Sequence, residues 1–240
     1  MKSPQTAIVT GASSGIGLGL TRILLDQGYR VVANSRRISA TGTLEPAKNL
    51  AIVDGDVADP ATGAALTRTA VERFGSVDLL VNSAGIFMVK RFTESSTEEF
   101  RRLVETNLTG FFHVTQPAVR QMRTQGAGHV VTISTSFVSQ PMQGVSAALA
   151  ILTKGGLEAI TRALAIEHAK EGVRFNAVAP GIVDTPMHRR ETHDFLRTLH
   201  PIERLASVEE VVDAVLYLTK ATFVTGEVIR VDGGAHAGRW

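Results

Sequence analysis

Short runs of β-branched and apolar residues alternate along this chain with segments whose apolar positions recur at the helical period. TAIVT (6–10) reads as a strand and Gly15 to Gln27 as a helix. YRVVAN (29–34) is a second strand, and NLAIVDGDV (49–57) contains a third. Residues 61–75 are helical, 77–85 are strand and loop, and Ser96 to Gln125 is one long helical region. GHVVTIST (128–135) is a strand, Val145 to Glu171 a long helix, VRFNAVAPG (173–181) a strand, Val208 to Leu218 a helix and GEVIRVDGG (226–234) a last strand. Between strands two and three, Gly42 and Pro46 leave little helical pattern and predict a loop or a single turn. Continuous apolar strands that alternate with helices imply a parallel sheet covered on both faces. Right-handed crossovers make it doubly wound, with ligands at the carboxyl ends of the strands where the winding reverses.

Composition narrows the picture only a little. At 240 residues, with no internal repeat, low-complexity tract or linker, the expectation is one α/β domain. No apolar run approaches the roughly 18 residues of a membrane span, and MKSPQTAIVTG enters a strand too soon for a secretory signal. Cysteine is absent, which removes disulfides, Cys-bound zinc and a thiol nucleophile. The chain is expected to be cytoplasmic, with no membrane and no nucleic-acid partner. A net charge of +2 is spread over scattered bases and offsetting acids, not gathered in a stripe.

The first candidate chemistry lies in TGASSGIG (10–17), between the first strand and the first helix. Gly11, Gly15 and Gly17 permit a tight turn that backbone N–H groups and the positive helix end would offer to a pyrophosphate. The spacing is G-x-x-x-G-x-G, and the turn lacks the Gly-Lys-Ser/Thr of a P-loop.

Here the chain resembles the short-chain dehydrogenase/reductase (SDR) family over nearly its whole length. TGASSGIG is similar to the family's cofactor turn, NSAG (82–85) to its Asn-Asn-Ala-Gly element and DGDV (54–57) to its adenine-holding segment. NLTGFF (107–112) resembles the segment that carries the active-site Asn, PGIVDTPM (180–187) the nicotinamide-contacting segment and VDGG (231–234) the last strand end. The resemblance implies a single Rossmann-type sheet of about seven strands. It implies cofactor contacts at Gly11, Ser13, Ser14, Gly15, Ile16 and Gly17, then at Asp56, Val57, Asn82, Ala84 and Gly85. Pro180, Gly181, Val183, Thr185 and Lys154 complete that set. The end of the second strand, VVANSRR, has no acid for ribose hydroxyls. Ser35 and Arg36 stand there instead, and a guanidinium suits a 2′-phosphate, so the expected cofactor is NADP(H). Ser14, in place of a base found in some such turns, leaves NAD(H) open.

The family's active site combines Asn, Ser, Tyr and Lys, with Tyr four residues before Lys. Asn107 and Lys154 match, but the position four before Lys154 is Ala150. The remaining tyrosines, Tyr29 and Tyr217, lie in a strand and a late helix, away from the expected site. Among the hydroxyls of VTISTSFVS (131–139), Ser136 is the first choice to face substrate and Thr135 the second, with Ser134 and Ser139 read as local backbone partners. Three proton routes remain: Lys154 through a water beside Ala150, a lid histidine, or a substrate needing little acid help. The lid, around 185–205, holds His188, His193 and His200, of which His188 is nearest the nicotinamide segment. Their spacing gives no metal site.

Three functions compete: an NADP(H)-dependent oxidoreductase of carbonyls, alcohols or related unsaturated small molecules, a non-catalytic NADP(H)-binding sensor or scaffold, and a non-redox reaction on the same fold. The long helices are too apolar for full exposure on one side, and the resemblance implies a homodimer or homotetramer. Trp240 is a candidate anchor to another subunit, and Arg189 and Arg190 are candidate attractors of an acidic substrate, read first as solvated.

Overall fold

A computed structural model describes residues 5–188 and 192–238. Arg189, Arg190 and Trp240 lie outside the described residues. Among those described, the strands are β1 (Thr6–Thr10), β2 (Arg30–Ser35), β3 (Leu50–Asp54), β4 (Leu79–Asn82), β5 (Gly128–Ile133), β6 (Val173–Pro180) and β7 (Val228–Val231). The helices are α1 (Gly15–Asp26), α2 (Pro60–Phe74), α3 (Thr97–Val104), α4 (Gly110–Gln125), α5 (Ala148–His168), α6 (His193–Arg197) and α7 (Val208–Lys220). All strands are parallel in the order β3-β2-β1-β4-β5-β6-β7, so the winding reverses between β1 and β4. The doubly wound sheet is therefore as the hydrophobic pattern predicts.

Strand alternation divides the core into two layers. Ala7, Val9, Val31, Ala33, Leu79 and Val81 turn to the side of α1 and α7, against Leu20, Leu24, Val211 and Val215. Ile8, Val32, Leu80 and Val130 turn to the other side, against Leu66 of α2 and Val114, Ala118 and Met122 of α4. Both faces are dry, which is why the strands read as unbroken apolar runs instead of alternating ones.

The long region expected from Ser96 to Gln125 is α3 and α4 joined by a π-helical turn over Glu105–Thr109. Ser96 caps α3 reciprocally with Glu99, and Gly126 ends α4 in the left-handed conformation at φ 69°. The helix expected from Val145 begins later, at Ala148, and gives way to a 3₁₀ turn at Ala169. Between β2 and β3 the chain makes only a 3₁₀ turn, Ile38–Ala40, as Gly42 and Pro46 imply. No helix of the described residues is long and apolar enough to cross a membrane.

Candidate active site

At the carboxyl ends of the strands a cleft of about 340 Å³ runs from the turn after β1 to the lid. That size is in the range of small-molecule sites. Gly11 and Gly15 hold φ of 69° and 51°, backbone that glycine adopts without strain. A Cβ on Gly17 would lie 2.3 Å from the Gly11 carbonyl oxygen, so only a bare backbone lets α1 start this close to β1. Ser14, the N-cap, makes no side-chain capping bond, and the first turn of α1 holds no acid. The positive end of α1 thus faces the cleft without a neutralising side chain. Thr10 Oγ1 accepts from Ser83 N (3.1 Å) and Ala84 N (3.0 Å), which staples the loop after β4 to the end of β1.

The far end of this half is built by β2 and the loop after β3. Ser35 and Arg36 line it, as do Asp56 and Val57. Asn34 Nδ2 donates to the carbonyls of Val53 (3.0 Å) and Gly55 (3.1 Å) and so ties the two strand ends together. Gly110 packs against Val57, where a Cβ would lie 2.6 Å from Val57 Cγ2.

Lys154 dominates the other half. It is 7% exposed, lines the cleft, and donates from Nζ to the Ile133 carbonyl at 2.7 Å. Burial pushes its ammonium down to about 8, within reach of neutral pH. Gly85 lies against it: a Cβ there would be 2.9 Å from Nζ and 3.2 Å from Asn107 Oδ1. His188 also lines the cleft, half-buried, and burial followed by the charge of His193 lowers its pKa, against the opposing pull of Asp184.

The remaining residues expected to hold cofactor line the same cleft, with one exception. Asn82 does not line it, because the pleat of β4 turns its amide towards α4, where Nδ2 donates to Thr115 Oγ1 at 2.9 Å. Asn107 also stands behind the wall. Its Oδ1 accepts from Ile86 N (2.9 Å), and its Nδ2 donates to the Ile86 carbonyl and to Thr153 Oγ1, both at 3.0 Å. The π-helical turn aims it there, and it braces the loop after β4 against α5.

Two further expectations need correction. Ser136 is buried outside the cleft wall, because it opens the 3₁₀ turn Ser136–Val138 and swings inward. Ser134 and Thr135, just beyond β5, line the cleft instead, and the Ser134 hydroxyl donates to Glu158 Oε1 at 2.7 Å, not to local backbone. The water route beside Ala150 is closed: that residue is 0% exposed, so no water-sized space touches it. Tyr29 bonds Gln5 Oε1 at 3.0 Å and Tyr217 is exposed on α7, so neither reaches the cleft. His200 is buried and accepts from Ile182 N at 2.9 Å, outside the lining.

Sequence reasoning missed several lining residues. Arg102 and Thr106 come from the α3–π-turn run, where helical periodicity marks them only as surface. Phe87 and Phe137 form an apolar pair in the wall, ring centroids 5.8 Å apart and tilted 45°. Phe87 stands two residues after Gly85, a proximity that the motif itself offered. The wall thus combines an anion-facing helix end, guanidinium and ammonium groups, and an apolar lobe that includes Met187. These features fit a nicotinamide dinucleotide phosphate: backbone N–H groups for its pyrophosphate, Arg36 for a further phosphate and Lys154 for ribose hydroxyls.

Comparison with known proteins agrees with this geometry. Residues 11–236 match the family model described as enoyl-(acyl carrier protein) reductase. The chain is 37% identical to the granaticin polyketide synthase putative ketoacyl reductase 2 of Streptomyces violaceoruber, over 96% of this chain and 95% of that protein. It is 38% identical to the cis-4-hydroxycyclohexanecarboxylate dehydrogenase of Sinomonas cyclohexanicum, over 96% of each. The solved structure "ElxO with NADP Bound" superposes with a TM-score of 0.89 at 28% identity, covering 98% of this chain and 100% of that one. The sheet order, the glycine turn at its switch point, the buried lysine across the cleft and these matches lead to one conclusion: the chain belongs to the short-chain dehydrogenase/reductase family.

Proposed function

We propose that this protein is an NADP(H)-dependent oxidoreductase that acts on a carbonyl, an alcohol or a related unsaturated small molecule through a tyrosine-free site. One observation carries the reading: a single cleft joins the uncapped start of α1 and Arg36 to a buried lysine whose pKa falls to about 8. When bound, the cofactor would supply or accept hydride. Arg36, where NAD-specific sites place an acid, favours the phosphorylated form, and NAD(H) is the lesser alternative. The NADP named for the ElxO structure and the reductase and dehydrogenase names of the relatives support the reading.

Lys154 holds the nicotinamide ribose and is the first candidate proton source. Lys154 itself lines the cleft, so the role does not depend on a water beside Ala150. His188 is the second candidate. Thr135 replaces Ser136 as the hydroxyl that orients substrate. The experiment is NADPH consumption across ketones, aldehydes, enones and imines. Lys154→Ala is expected to lower turnover by about 10²–10⁴-fold on any active class, the usual contribution of a general acid. Unchanged turnover in Lys154→Ala, with a loss in His188→Ala, transfers the role to the histidine.

The buried methyl of Ala150 favours a second reading, an NADP(H)-binding sensor or scaffold, because no phenol occupies the expected position. NADPH binding without turnover on any substrate class would support it. Exposed Phe100, Phe112, Leu152 and Ile160 on α3, α4 and α5 fit a homodimer or homotetramer formed through these helices.

A further inference from the structure

Beyond β6 the chain leaves the sheet and forms one wall of the cleft over residues 180–188. Backbone bonds hold its first part on either side of Ile182 N. Gly181 N reaches the Val231 carbonyl at 2.9 Å, and a parallel bridge pairs Val183 with Ala206, through Ala206 N to the Ile182 carbonyl and Asp184 N to the Ala206 carbonyl, both at 2.9 Å. Among the described residues, the partner of the Ile182 N–H is a side chain, His200 Nε2, at 2.9 Å. His200 is 2% exposed and fills the space over Gly181, where a Cβ would lie 2.4 Å from Nε2.

We infer that His200 is a positioning residue, which ties the carboxyl end of the lid to the cofactor wall by accepting the Ile182 N–H and packing on Gly181. The bond fixes the tautomer: Nε2 offers a lone pair, so the proton is on Nδ1. A protonated ring would present N–H to N–H and lose the contact. Burial first lowers the His200 pKa; the Asp232 carboxylate and the Arg204 backbone carbonyl favour the cation, and the Arg204 charge opposes it. His236 engages the same Asp232 at 2.9 Å, and Glu210 holds the Arg204 guanidinium at 2.6 Å. The neutral form thus prevails near pH 7, and the contact weakens as pH falls below the ordinary histidine range.

The inference rests on the NADP(H) reading for one readout only. NADP⁺ affinity of the full chain would be measured by calorimetry from pH 7.5 to 5, beside the exchange protection of the Ile182 amide. His200→Leu is expected to weaken NADP⁺ by about tenfold and to remove the protection, while His200→Gln, whose Oε1 still accepts, stays near wild type. The acid-side fall in affinity should be shallower in His200→Gln than in wild type, which the cofactor's own phosphate or His188 would not explain. Wild-type affinity and protection in His200→Leu would overturn the inference. If the Leu variant does not fold, an Ile182 protection factor in the wild type that holds unchanged down to pH 5 would do so. Absence of NADP⁺ binding by the wild type sinks the cofactor reading alone, and Ile182 protection then decides the role of His200.

Discussion

At the scale of single residues, the site depends on what is missing as much as on what is present. Gly17 lacks the Cβ that would strike the Gly11 carbonyl, and Gly85 lacks the one that would crowd Lys154 Nζ and Asn107 Oδ1. Gly17→Ala is therefore expected to displace the start of α1 and weaken NADP⁺ binding by at least about tenfold, read by calorimetry. An unchanged affinity would show that the turn does not contact the pyrophosphate. Ala150 is a different kind of absence. Its methyl is fully buried, so a longer side chain there would meet the atoms packed on it. A restored tyrosine would have to repack its surroundings, the ordinary cost of an overfilled core.

At the scale of elements, the strands were legible because both faces of the sheet are dry. TAIVT is β1 as predicted; elsewhere ends shifted where caps and 3₁₀ turns compete with the hydrophobic period, the region from Ser96 to Gln125 divided at a π-helical turn, and the lid gained the short α6. The cofactor turn was legible because its chemistry is local: one strand end, three glycines, one helix start. The substrate side was not. Ser136 and Thr135 are adjacent, and which one faces the cleft depends on a 3₁₀ turn that hydroxyl chemistry does not announce. Thr106 reaches the wall from a π-helical turn that helical periodicity cannot distinguish from a regular helix, and Arg102 from the last turn of α3 just before it. Exposure, too, is decided at this level. Phe112 is 53% exposed on α4 and Leu152 57% on α5, the helices proposed above to form the homo-oligomer. Leu152→Glu is expected to shift the light-scattering mass towards the monomer; an unaltered oligomer would exclude this face.

At the scale of the whole molecule, the sheet separates chemistry from stability. The cleft occupies the carboxyl ends of the strands, and the opposite end carries a buried polar network. There His129, at the start of β5, accepts from Asn176 Nδ2 at 3.0 Å, and Arg174 reaches the carbonyls of Leu218 (3.1 Å) and Val224 (2.9 Å). Burial, then the Arg174 charge, push His129 down to about 3. Between that value and the ordinary 6.5, the unfolded chain binds a proton that the folded chain refuses. Stability is therefore unaffected by this group above pH 6.5 and falls below it, with a limiting slope of about 1.4 kcal/mol per pH unit. Urea unfolding from pH 7 to 5 should show a shallower loss in His129→Gln than in wild type, and parallel curves would refute the assignment. The π-helical turn has a consequence of its own for the molecule's history. The turn over Glu105–Thr109 closes its hydrogen bonds one residue later than a regular helix does. One surplus residue is thus written into the middle of a continuous rod. Its loss would rotate everything downstream by about 100°, carrying Asn107 off the loop it braces and the apolar face of α4 off the sheet. Across this span a substitution leaves the register intact, whereas a change in length by one does not.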